Sequence, residues 1–187
     1  MVFSHWKGRP YVRELIVPLN PRSAKQIGVR SMLGFLAQCW QSIDGGDQDS
    51  WDDLAEAKQI SPFNAYASEN LQRWQDFFGP TQAYPAAQSA NSITTTQVLT
   101  GGVGQITIEN TPSGAGSNWG IVILRSAAEI TTPDWTMVIA VLEANGTAKI
   151  THVDSPLTAG TYHYRSCVFN DDGTLGTFCV DDDEAAT

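Results

Sequence analysis

The stretch that decides the fold of the first half of the chain is Asn20 to Ile43, NPRSAKQIGVRSMLGFLAQCWQSI. An asparagine such as Asn20 accepts hydrogen bonds from the unpaired amides at a helix start, and Pro21 suits the first helical position. Apolar residues then recur every three or four positions and predict one buried stripe of Val29, Met32, Leu33, Leu36, Trp40 and Ile43. Basic residues lie mainly off this stripe, at Arg22, Lys25 and Arg30. The stretch therefore predicts a long amphipathic helix with a basic side that is a candidate docking face.

The charge of the chain is distributed unevenly. The 187 residues carry a net charge of -9, yet residues 1–30 hold six basic residues against one acidic, which is +5. The remainder holds five basic residues against nineteen acidic ones, which is -14. An acidic body argues against general nucleic-acid binding. A basic end on such a body predicts contact with an acidic partner surface or with another copy of the same chain.

The first residues predict an extended arm or a short hairpin, because residues 2–17 mix β-branched and aromatic residues around Gly8-Arg9-Pro10. The run Tyr11 to Val17 favours a strand. Together with the basic helix residues, this arm supplies the candidate partner-binding residues Trp6, Lys7, Arg9, Tyr11, Arg13, Arg22, Lys25 and Arg30. The alternative is that the apolar residues of the arm pack on the helices that follow.

Two further helices are predicted before residue 80. Ser50 is a candidate cap for a helix from Trp51 to Gln59, and Ser61-Pro62 opens another with an aromatic inner face. Gly79-Pro80 ends this part, and 81–91 is small and polar, as linkers are. We therefore expect an arm with a helical anchoring region at 1–80, a linker at 81–91 and a separate domain at 92–187.

From Ser92 onward the apolar pattern has a period of two and predicts seven strands, at 93–99, 105–110, 120–125, 136–143, 148–153, 161–170 and 176–180. Short strands at this spacing favour an antiparallel β-sandwich, so the fold class is α+β with two domains. Asn145-Gly146 predicts a hairpin turn. The acidic run from Asp181 to Glu184 predicts a solvated tail.

The segment Leu157 to Gly176, LTAGTYHYRSCVFNDDGTLG, resembles the penultimate strand and following turn of fibronectin type III and related immunoglobulin-like modules. The resemblance implies an immunoglobulin-like sandwich with one strand face toward the core and the other outward. Ala159 departs from it, since that family often has proline there. The inward side chains would be Tyr162, Tyr164, Ser166 and Val168, and the outward ones His163, Arg165, Cys167 and Phe169.

Three segments of the first half, FSHWKGRPYVRE, LNPRSAKQ and ISPFNAYASENL, resemble structural proteins encoded in bacteriophage and prophage gene clusters. The resemblance implies a virion structural or accessory protein, with capsid decoration (cement) as the first expectation. Its partners would be the major capsid protein or other virion proteins, with self-association on the particle. A neck or tail component is the alternative within the virion. We expect virion localisation after assembly in the host cytoplasm.

Catalysis is not expected from this sequence. The three histidines have no metal or triad spacing, and no nucleophile elbow or phosphate loop is present. We therefore expect a protein that is not an enzyme and that needs no metal and no cofactor. No secretory signal or membrane span is evident, and no membrane or sequence-specific nucleic acid is expected as a partner.

Two questions stay open at this level. The three cysteines favour buried free thiols, although Cys167 and Cys179 could pair across a hairpin. A carbohydrate- or host-surface-binding module is the alternative from another functional class, using exposed aromatics such as Trp119 and Trp135.

Overall fold

The chain forms a two-stranded antiparallel ribbon, a helical layer and two larger antiparallel β-sheets in the computed structural model, which describes residues 2–6, 9–13, 23–89, 92–113 and 118–187. The first half contains β1 (Val2–Trp6), β2 (Arg9–Arg13), α1 (Ala24–Cys39), α2 (Gly45–Asp49), α3 (Asp52–Lys58) and α4 (Pro62–Gln75). The second half contains β3 (Thr95–Gly102), β4 (Gln105–Pro112), β5 (Asn118–Ser126), a 3₁₀ turn (Trp135–Met137), β6 (Val138–Glu143), β7 (Ile150–Asp154), β8 (Gly160–Asn170) and β9 (Asp182–Ala186).

The second half is an antiparallel β-sandwich. One sheet has the strand order β3-β4-β7 and the other the order β6-β5-β8-β9. Between them lies a core to which β4 contributes Ile106 and Ile108, while the other sheet contributes Ile123, Ala140 and Tyr164. The predicted α+β class and the predicted sandwich are both confirmed. Strands β3 to β8 coincide with six predicted strands to within three residues at each end.

The outer face of the four-stranded sheet is covered by the helices. Phe35 of α1 packs against Trp119 and Phe169, with ring centroids 5.0 and 5.4 Å apart. Cys167 belongs to the same buried cluster. Cys167 and Phe169 do lie on the side of β8 away from the sandwich core. The prediction that they face outward is nevertheless wrong, because the helices bury that side as well. Gly120 permits this packing, since a Cβ there would lie 2.2 Å from the Phe169 ring.

Helix α1 differs from its prediction in start and in orientation. It begins at Ala24 after an extended Ser23, so the prediction of a cap at Asn20 is wrong. Asn20 and Pro21 lie outside the described residues. The buried stripe is also turned toward the sheet, since Leu33 is 40% exposed and Phe35 is buried instead. Contact with β6 and with the aromatic cluster sets this orientation. The spacing of apolar residues along the sequence does not determine it.

Helix α4 begins as predicted, and α3 does not. The Ser61 hydroxyl accepts a hydrogen bond from the Asn64 amide at 3.2 Å, and Pro62 occupies the first turn. Ser50 is not the cap of α3, because α3 follows Trp51 directly. The Ser50 hydroxyl instead donates to the Asp47 carbonyl and accepts from the Tyr84 amide.

The segment 81–91 is anchored at its start. Asn70 bonds both backbone polar groups of Thr81, donating to its carbonyl at 3.0 Å and accepting from its amide at 2.7 Å. The helices and the four-stranded sheet also share one buried cluster, which runs from Met32 to Phe169. The division of the chain into 1–80, 81–91 and 92–187 stays a prediction, and this shared core is the feature that any such division must accommodate.

Two predictions about the end of the sandwich are wrong. Asn145-Gly146 does not join a hairpin, because the strands on either side, β6 and β7, belong to different sheets. The acidic run predicted as a solvated tail does expose Asp182 and Asp183, and its backbone forms β9, which pairs with β8 from Gly160↔Ala186 to Tyr164↔Asp182. The segment 176–180, predicted as the last strand, is not a regular strand. It runs beside β8 with irregular hydrogen bonds, such as the one that the Cys179 amide donates to the Ser166 carbonyl.

The second buried face of β8 generates a stability prediction. Replacing the fully buried Phe169 with alanine should lower the free energy of unfolding by about 3–5 kcal/mol, because the cluster would keep a cavity. Phe78→Ala is the matched control, since Phe78 is 51% exposed and its loss should cost less than about 1 kcal/mol. Urea denaturation of the two variants measures both values, and equal losses would contradict the buried second face.

Candidate partner-binding surface

The described part of the predicted arm forms an antiparallel two-stranded ribbon, and its register places the predicted arm residues on one face. Strands β1 and β2 pair antiparallel, with Trp6 opposite Arg9, Ser4 opposite Tyr11 and Val2 opposite Arg13. Because register partners lie on the same face of a β-ribbon, Trp6, Arg9, Tyr11 and Arg13 share one face. Lys7 lies outside the described residues. Four of the five arm residues named from the sequence therefore occupy one surface.

The basic helix residues do not form one face with each other. Lys25 and Arg30 are both exposed on α1. The Lys25 ammonium lies 5.8 Å from the centre of the Trp135 ring, while Arg30 lines a cleft beside the sandwich. Five residues on a helix correspond to about 140° of rotation, which separates the two groups. Arg22 lies outside the described residues, so the predicted docking face of α1 is divided.

The cleft at Arg30 has a volume of about 490 Å³ and lies where α1 meets the edges of the two sheets. Its basic lining consists of Arg30, Arg125 and His152, and its apolar lining includes Ile27 and Ile139. These residues come from α1, β5, β6 and β7. No sequence spacing connects these four elements, so the chain pattern identified only Arg30 of this set.

Arg125 is already paired inside the cleft. Its Nη1 donates to both carboxylate oxygens of Asp154, at 2.9 and 2.8 Å, and the Tyr164 hydroxyl donates to the same carboxylate at 2.9 Å. Burial, followed by the neighbouring Asp154 charge, raises the pKa of Tyr164, which keeps this hydroxyl a donor. Within the described part of the chain, Arg30 makes no hydrogen bond or ion pair. Among the described residues, the cleft therefore presents one guanidinium without a partner, that of Arg30.

The cysteines and histidines do not form a catalytic arrangement. Burial raises the pKa of Cys39 to about 11 and that of Cys167 to about 12, so both thiols stay protonated at neutral pH. All three cysteines are free and buried, and His163 pairs with Asp181 at 2.8 Å. Over the described ranges, no group of three or more histidine, cysteine or carboxylate side chains could hold a metal ion.

The aromatic residues considered for carbohydrate binding are not a free platform. Trp119 is only 7% exposed and packs against Phe35 and Phe169. Trp135 is half-buried with Lys25 over its ring. Stacking on a sugar requires an accessible aromatic face, which Trp119 lacks. No helix in the described ranges is long and apolar enough to cross a bilayer.

Similarity to known proteins is slight. No protein-family model matches the chain, and no curated protein matches it. The crystal structure of the CARDB domain of a Pyrococcus furiosus protein, in complex with di-metal ions, matches with a TM-score of 0.29 at 10% identity. That match covers 51% of this chain and 90% of the domain. The solution structure of the same domain gives a TM-score of 0.28 at 10% identity, over 51% and 93% of the two chains. Matches at this level give no information about a site or an activity of this chain.

The buried position of His152 generates a prediction about pH. Burial lowers its pKa below the ordinary 6.5, an effect that the Asp154 charge only partly offsets. At pH values just below 6.5, His152 is largely protonated in the unfolded chain and still neutral in the folded chain, so acidification favours unfolding. The free energy of unfolding should therefore fall as the pH drops from about 7 to 5.5. His152→Gln should reduce this slope in urea titrations at each pH, and an unchanged slope would contradict the assignment.

Proposed function

We propose that the protein is a bacteriophage virion structural protein that decorates the capsid and stabilises the shell. The observation that carries the proposal is the ribbon face shared by Trp6, Arg9, Tyr11 and Arg13. Aromatic and arginine side chains supply most of the binding energy in protein interfaces, and a two-stranded ribbon presents them without a large globular interface. Because the first half resembles phage structural proteins, we expect the partner of this ribbon to be a virion protein.

The charge distribution supports attachment through the arm. Residues 1–30 carry +5 and the remaining residues carry -14, so the two parts of the chain favour surfaces of opposite sign. An acidic surface on the major capsid protein would attract the arm and orient the acidic body away from the shell. A shell under internal pressure gains strength from small contacts that are repeated over the whole lattice.

The second half supports an immunoglobulin-like module as the projecting part. The strand order β3-β4-β7 facing β6-β5-β8-β9 places the first, second and fifth strands in one sheet, as in immunoglobulin-like sandwiches. The fibronectin type III resemblance agrees with this order, while the irregular path of residues 171–181 between β8 and β9 departs from a simple final hairpin. In the proposed arrangement the helical region anchors this module, as a two-domain reading of the chain implies.

Deletion of residues 1–17 tests the proposal. Capsids of the encoding phage, assembled without this protein, should bind the full chain and release the truncated chain into the supernatant on sedimentation. Circular dichroism should show that the truncated chain keeps its sandwich, because the described residues of the sandwich core begin at Leu99. Retained binding of the folded, truncated chain would contradict the proposal.

A pair of charge-reversal variants separates the arm from general electrostatics. Arg9→Glu with Arg13→Glu should weaken capsid binding by at least tenfold, because the arm would then repel an acidic shell surface. Lys58→Glu with Lys149→Glu changes the net charge equally on exposed body positions and should leave binding nearly unchanged. Equal weakening by both pairs would contradict attachment through the arm.

The same particles distinguish the shell from the neck or tail. A decoration protein should be present in many copies over the capsid surface, whereas a neck or tail component should form a single ring at one vertex. Electron microscopy of particles that carry the tagged chain measures this directly. Density confined to one vertex would replace capsid decoration with the second virion role.

A further inference from the structure

Three of the four outer strands of the sandwich have their free edge covered. The edge of β6 lies against α1, where the Ser31 hydroxyl accepts a hydrogen bond from the Val141 amide at 2.7 Å. Strands β3 and β9 adjoin each other, and Thr187 bonds the turn after β3 by donating to the Gly102 carbonyl and accepting from the Gly104 amide. Covered edges of this kind prevent unwanted strand pairing.

The fourth outer strand, β7, has an edge that no described residue covers. The Ser113 amide donates to the Thr94 carbonyl, so the odd-numbered residues of β4 bond to β3 and the even-numbered ones bond to β7. Because Ile108 pairs with His152, the backbone groups of Thr151 and Val153 point away from the sheet. Across the described ranges, these outward groups have no hydrogen-bond partner.

Three of the usual protections of an edge, a lysine, a proline and a bulge, are missing from β7. Its sequence, ITHVD, contains no lysine and no proline, and its pairing with β4 runs through five residues without a bulge. Thr151 is exposed and Val153 is 46% exposed. An uninterrupted edge with unpaired backbone groups is a template for another strand.

The cleft described above lies beside this edge. Its lining includes His152 and Asp154, which lie on the inner side of β7, together with Arg30 and the apolar Ile27 and Ile139. A strand added to β7 would direct every second side chain to this inner side. Two side chains of the added strand, at positions i and i+2, would therefore enter the cleft. There they would contact the Arg30 guanidinium, which has no partner among the described residues, and the apolar side chains of Ile27 and Ile139.

We propose that the open edge of β7 binds an extended segment of a partner protein by strand addition, with a carboxylate side chain at Arg30 and an apolar side chain against Ile27 and Ile139. Backbone hydrogen bonds to Thr151 and Val153 supply the affinity, and the cleft supplies the selectivity. This surface is separate from the arm and does not depend on the proposed virion role.

Charge decides between an acidic segment and the basic arm of a second copy. Arg125 is neutralised by Asp154, whereas Arg30 is unpaired within the described residues. An arginine of the arm would meet this like charge, and like charges in contact are unfavourable. The acidic body contributes little at this point, because exposed charges beyond about 10 Å are screened at physiological salt.

A synthetic peptide provides the test. The probe is the acetylated and amidated heptapeptide Thr-Val-Thr-Glu-Thr-Val-Thr, which places valine and glutamate on one side and threonine on the other. Titrated into the ¹⁵N-labelled full chain, it should shift the NMR signals of the Thr151 and Val153 amides and slow their hydrogen exchange. The matched peptide with lysine in place of glutamate should bind about fivefold more weakly, as expected for an exposed ion pair.

Backbone methylation separates strand addition from charge alone. In the antiparallel addition that we propose, N-methylation of the two threonines beside glutamate removes the amides that would face β7, so binding should fall at least tenfold. N-methylation of the glutamate and the following valine alters amides that face away and should leave binding nearly unchanged. Equal effects of the two modified peptides would overturn strand addition.

Substitutions on the protein test the selectivity. Arg30→Glu should reverse the preference, so that the lysine peptide binds better than the glutamate peptide. Lys58→Glu makes the same charge change on α3 and should leave the preference intact. An unchanged preference in the Arg30→Glu variant overturns the role of Arg30. Tighter binding of a peptide copying Arg9 to Arg13 would show that the occupant is the arm of a second copy, which overturns the acidic segment.

Discussion

The burial of β8 on both faces is the constraint on which the rest of the structure depends. Its inner face contributes Tyr164 to the sandwich core, while its outer face contributes Cys167 and Phe169 to the core beneath the helices. A central strand in this position cannot be left with a solvent-facing side, because large apolar area would return to water. The helical layer therefore completes the sandwich, and the close approach of Phe169 to Gly120 fixes where the layer packs.

The position of the helices follows from this requirement. Phe35 must reach the aromatic cluster, so α1 turns Phe35 inward and leaves Leu33 exposed. The same placement brings Ser31 to the edge of β6 and Gly28 against the backbone at Trp135, where a Cβ would have only 3.3 Å. One packing contact thus also covers one sheet edge, and no described residue covers the neighbouring edge of β7 beside the resulting cleft.

Local features of the fold were predictable from the sequence, and the relation between elements was not. Ser61-Pro62 defines the start of α4 through groups within four residues, and the strand periods located β3 to β8. The outward assignment of Phe169 failed because alternation identifies two faces without saying how many are buried. The apolar run from Ile121 to Leu124 contained that information, since strands buried on both faces tend to be continuously apolar. The cleft at Arg30 joins four elements, so only tertiary packing reveals it.

The two candidate surfaces impose a common condition on any assembly. Residues 1–30, which include both the arm and Arg30, carry a net charge of +5, and within the described residues the Arg30 guanidinium beside β7 has no partner, so both surfaces favour acidic partners. Two acidic bodies placed face to face would repel each other, whereas an arm on a neighbouring body would not. Self-association would therefore proceed from arm to body, and it would compete with the shell for the same ribbon face. In the proposed virion role, attachment to a shell would remove that competition by occupying the arm, and the β7 edge would be the remaining surface for an acidic strand of another partner.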